Sequence, residues 1–72
     1  MTYAVILEKA AGNWAAYVPD LPGCMTTAPT LAAAKISIRE AIEGHIATLR
    51  EFGEPVPEPT TKAMPIAVSG AA

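Results

Sequence analysis

The sequence predicts a small α+β domain with elements in the order β-β-β-α-β, and three observations predict it. Two runs with strand alternation, Thr2–Lys9 and Asn13–Val18, flank the turn residues Ala10-Ala11-Gly12-Asn13. A constrained corner, Val18-Pro19-Asp20-Leu21-Pro22-Gly23-Cys24, follows directly. From Leu31 to Phe52 the apolar spacing changes to threes and fours, the period of a helix laid on a sheet.

In the first strand Tyr3, Val5 and Leu7 fall on one face and Ala4, Ile6 and Glu8 on the other, so both faces are largely apolar. The second strand sets Trp14, Ala16 and Val18 against Ala15 and Tyr17 and pairs back as a hairpin. At the corner, Pro19 and Pro22 each hold φ at about −65° and remove an amide donor. Asp20 can fold its carboxylate onto nearby amides, Gly23 can take positive φ, and Leu21 is the apolar peg that fastens the loop to the core. Only one side chain in this loop could move a proton, so the segment reads as a turn rather than a catalytic loop.

Cys24 to Ala28 forms a short third strand, and Pro29-Thr30 announces a helix whose cap is the threonine hydroxyl. Ala33 stands where a capping-box glutamate would, which weakens that start. Leu31, Ala34, Ile38, Ala41 or Ile42, His45, Leu49 and Phe52 make the inner stripe, and Lys35, Arg39, Glu40, Glu43, Arg50 and Glu51 the solvated side. Gly53 is the stop. Residues 53–62 are a proline-rich connector, extended because alternate prolines cannot continue a helix. Ala63–Val68 is a last short strand that Pro65 confines to an edge, and 69–72 is a frayed tail, all within one domain spanning 1–72.

Strand connectivity then limits the topology. The meander leaves the third strand parallel to the first, so a right-handed crossover through the helix sets the fourth strand beside the first and parallel to it, in the order 3-2-1-4. One helix covers one sheet face. The opposite face still carries Ile6 and Tyr17, which calls for a second copy or another protein to cover it.

Composition points the same way. A chain of 72 residues buries only about 60% of the surface it exposes when unfolded, so self-association into a dimer or tetramer would add needed stability. Apolar residues make up 51% and charged residues 17%, below the charge content of about a quarter usual for soluble domains. A net charge of −2 with scattered basic residues offers no footprint for direct nucleic-acid binding. No apolar run suits a membrane helix, and the N-terminal run is broken at Glu8, which reads as a strand rather than a signal peptide. Cys24 is the sole cysteine, so an intramolecular disulfide and a thiolate metal cage are both out of reach, and a cytoplasmic setting without cofactor is expected.

Trp14, the Val18–Cys24 corner, Thr26, Thr30 opening an alanine-rich helix, Gly53-Glu54 and Pro57-Glu58-Pro59 together resemble the HicB-like antitoxin family of bacterial toxin–antitoxin systems. The resemblance covers nearly the whole chain. It implies a partial ribonuclease H-like fold and a partner, HicA, a small RNA-cleaving toxin with a double-stranded-RNA-binding-like fold and a catalytic histidine. Many members also carry a C-terminal helix-turn-helix or ribbon-helix-helix domain for their own operator; this chain is expected to be a short form without one. Ala32 and Ala33 occupy positions where the family usually shows acidic residues.

A ribonuclease H-like outline raises metal-dependent cleavage as a rival. Two-metal chemistry needs carboxylates converging from several elements, whereas the strands supply only Glu8, the helix Glu40 and Glu43, and Ile66-Ala67-Val68 none. His45 and Cys24 lack an orienting third group, so His45 reads as a structural histidine and Cys24 as a small buried hydrophobe. The chain is therefore expected to have no catalytic, metal or cofactor residues. Its expected role is an inhibitor that masks a HicA-like toxin, with Glu8, Glu40, Glu43 and Glu54 as candidate partner contacts and Trp14, Pro19, Asp20, Leu21, Pro22 and Gly23 as structural residues. The alternative is a stand-alone oligomeric module that binds another protein or a small ligand without a cognate toxin.

Overall fold

Three strands and one helix are arranged around the central strand of an antiparallel sheet, in a computed structural model that describes residues 1–70. β1 (Ile6–Ala10) and β2 (Asn13–Tyr17) are joined at Ala11-Gly12, where Gly12 takes φ +83°. β3 (Met25–Ala28) pairs with the other side of β2, so the order is β1-β2-β3 and both β1 and β3 are edges. α1 (Leu31–Glu51) packs chiefly against β2 and β3.

The helix ends follow from their caps. The Thr30 hydroxyl accepts a bond from the Ala33 amide at 3.1 Å. At the other end the Glu54 amide donates to the Leu49 carbonyl and the Gly53 amide to Arg50, with Gly53 at φ +68°, which is a Schellman stop. The inner stripe is shorter than expected. Ala34 and Ile38 are buried and Ala41 and Ile42 partly so, but Leu31 is at the rim and Phe52 is 73% exposed, because the sheet under the helix ends before its last turn reaches it.

Two strand expectations need correction. β1 begins at Ile6 rather than Thr2, because Ile6 already pairs with Tyr17, the last residue of β2; Tyr3 and Val5 still pack on the core without a ladder. The expected fourth strand over Ala63–Val68 pairs with no strand among the described residues and is exposed along its length. Thr60 and Thr61 are tied down at the corner, as described below, and the chain leaves the body from there. The described sheet is thus wholly antiparallel. Ser69 and Gly70 form a turn, and the remainder of the tail expected over 69–72 lies outside the described residues.

Ala16, Val18, Leu21, Cys24 and Ile38 build the core, with Leu21 fully buried and the half-buried Leu7 packed against that cluster. Burying one leucine side chain stabilises by about 1.5–3 kcal/mol, a large share of what so small a core can supply.

Candidate partner-binding surfaces

The corner closes on itself before it touches anything else. The Val18 amide donates to the Cys24 carbonyl at 3.1 Å, Leu21 to Val18 at 3.1 Å and Cys24 to Leu21 at 3.0 Å, with Gly23 at φ +83°. Neither proline disturbs this set, since neither is asked to donate. Asp20 departs from expectation. Its carboxylate accepts from the amides and hydroxyls of Thr60 and Thr61 at 2.7–3.1 Å, forty residues along the chain, rather than from its own neighbours. Those donors, led by the Thr61 amide, hold its carboxyl below the ordinary value of 3.8. The Tyr3 hydroxyl donates to the Pro57 carbonyl, a second tie between the sheet and the connector. Thr60 and Thr61 were not singled out from the sequence; two adjacent hydroxyl residues ending a proline run were the available signal.

The sheet leaves two kinds of surface. On the outer face, Ile6, Tyr17 and Met25 lie directly opposite one another across the three strands, and Glu8, Ala15 and Thr27 form the adjacent row. Tyr17 is 38% and Met25 68% exposed. On the inner side, the helix leans over β2 and β3 and leaves a groove of about 570 Å³ along β1, lined by Tyr3, Val5 and Leu7 below and Ile38 and Ile42 above.

The four candidate glutamates do not converge. Glu40 and Glu43 share a shallow hollow with Lys35 and Arg39, and Glu43 and Arg39 also border the groove. Glu8 sits on the outer sheet face and Glu54 beyond the helix stop, both exposed. Trp14 is half-buried on the inner face of β2, opposite Ala28.

Cys24 and His45 do line one hollow, beside Gly44 and Leu49. Cys24 is buried there, and burial pushes its thiol up, away from the thiolate a nucleophile requires. Among the described residues no cluster of His, Cys, Asp or Glu could hold a metal ion, and no helix is long and apolar enough to cross a membrane.

The model of the HicB-like antitoxin of bacterial toxin–antitoxin systems matches residues 3–68. The chain belongs to the HicB-like antitoxin family. Similar curated proteins include a UPF0150 protein of Thermoplasma acidophilum, 41% identical over 58 residues, which cover 79% of this chain and 84% of that one. A UPF0150 protein of Synechocystis is 36% identical over 67 residues, or 92% of this chain and 85% of its own. An uncharacterised 14.9 kDa protein from the rep-hol intergenic region of Haemophilus phage HP1 is 36% identical over 58 residues, covering 81% of this chain but only 44% of the phage protein. No solved structure matches the chain significantly. The family match takes in the strands, the corner, the helix and the segment to Val68, so the HicB-like character belongs to the whole described scaffold rather than to one motif.

Proposed function

We propose that this HicB-like chain is an antitoxin that binds and masks a HicA-type RNA-cleaving toxin and performs no chemistry of its own. The observation that carries this reading is the family match over residues 3–68. The surface assigned to the toxin is the outer sheet face. Its row of Ile6, Tyr17 and Met25, next to Glu8, suits a partner that presents an apolar patch with a basic rim. Apolar contact supplies most of the affinity, while Glu8 and the helix-borne Glu40 and Glu43, with Glu54 beyond, attract the partner and raise the rate of encounter. In this reading the protein acts in the cytoplasm as a homo-oligomer on a partial ribonuclease H-like scaffold.

Co-expression with the toxin encoded in an adjacent reading frame tests it. The pair should co-purify and the growth arrest should be relieved; Tyr17→Glu with Met25→Glu should abolish both while the circular dichroism spectrum is unchanged. Glu8→Gln should slow association several-fold at low salt and little at high salt. Absence of both co-purification and relief with the wild-type chain overturns the masking role.

A further inference from the structure

Two unsatisfied features of the fold match each other. The first is the groove along β1, apolar at Val5, Leu7, Ile38 and Ile42 and charged at Lys35, Arg39 and Glu43, with an unpaired strand edge as its open side. The second is the arm that follows Thr61. Met64, Ile66 and Val68 alternate along it at 74%, 73% and 69% exposure, the spacing that puts three large apolar side chains on one face of a strand. None of them lines the groove of its own chain.

We infer that this arm docks as a strand in the β1 groove of a second copy, so that two chains exchange arms and form a twofold dimer. The proposal is independent of the toxin, which is assigned the opposite sheet face.

The hydrogen-bonding direction of the arm fits that role. In an extended segment, alternate residues point their amides and carbonyls to the same edge, so Met64, Ile66 and Val68 would pair on one side while Ala63, Pro65 and Ala67 face the other. Pro65 lacks a donor only on the side away from the ladder, where a proline is tolerated in an edge strand. The same proline stops another strand from adding there, so the exchange closes at two chains instead of propagating.

The occupant is a second copy rather than the chain's own arm because of how the arm leaves the body. Asp20 holds Thr60 and Thr61 at the corner, and the segment Lys62–Val68 that follows contains no glycine to reverse it. The chain is accordingly stretched. Its radius of gyration is 14.3 Å and its longest axis 50 Å, against a radius of about 11 Å for a compact chain of this length. The excess exceeds what the helix explains, since 21 residues of α1 span about 32 Å.

The test compares the full chain with an Ile66→Asn, Val68→Asn variant by sedimentation velocity from low micromolar to near-millimolar protein. Both positions are exposed in the single chain, so the variant should keep its fold, and circular dichroism verifies that. The full chain should be dimeric and the variant's dissociation constant raised about tenfold or more, since two polar amides would replace the side chains that meet Leu7, Ile38 and Ile42. Nuclear Overhauser contacts between labelled Ile66 and unlabelled Leu7, in a mixed sample, should appear only between chains. A full chain that stays monomeric, a variant that dimerises as tightly, or Ile66–Leu7 contacts within one chain would each overturn the exchange.

Discussion

The corner at Val18–Cys24 and the arm at Lys62–Val68 have much the same composition, both being apolar and proline-containing, and they meet opposite fates. In the corner every closing amide finds a carbonyl within the loop, and Leu21 is taken completely out of water. In the arm the large apolar side chains are about three-quarters exposed. The difference is connection. A loop whose two ends are held by neighbouring strands can bury its peg locally, whereas a segment launched from one fixed point needs a surface brought to it. Proline and hydrophobicity alone do not tell a fastened loop from a docking strand.

Substitutions in the two regions should separate them cleanly. The largest effect is expected for Leu21→Ala, which leaves a cavity under the corner and should cost about 3 kcal/mol in urea unfolding of dilute protein. Gly23→Ala meets no atom within 4 Å, so its cost comes only from the φ of +83°, about 1–2 kcal/mol by the same measurement. Asp20→Asn should have a smaller effect that depends on pH. Because Thr60 and Thr61 hold the carboxyl below 3.8 in the folded chain, its contribution is complete above that value and fades as the pH falls through the lower folded-state value. Acid titration of the wild type should therefore show a loss of stability in this window that the Asn variant lacks. Ile66→Ala is expected to change the stability of the dilute, undimerised chain by less than about 0.5 kcal/mol. A Leu21 effect no greater than that of Ile66 would erase the contrast.

Much of this fold was legible because its signals are local. Gly12 marked the hairpin, Thr30 the helix start and Gly53 its stop, each through a backbone need that neighbouring residues satisfy. What escaped depends on distant parts. Thr2 to Val5 look as strand-like as Ile6 to Lys9, but only the length of β2 decides which of them pair. Phe52 fits the helical period and still points to solvent, because the period does not say where the sheet beneath it ends. Asp20 looked like a local turn former, and its true donors lie forty residues on. The outer face was visible in Ile6 and Tyr17, while the β1 groove emerged only from the helix lying over β2 and β3.

The bond between Asp20 and the two threonines also separates the folding of the body from the aiming of the arm. The hairpin, the corner and the start of α1 all join residues near one another in the chain, so they can form before the C-terminal segment docks. The Asp20 carboxylate stays hydrated until Thr60 and Thr61 reach it. With α1 already packed, the loop left to close runs only from the helix stop at Gly53 to Thr60, so the closure is short. The arm therefore takes its direction only after the body has formed, and protonating one carboxylate releases it without disturbing the core.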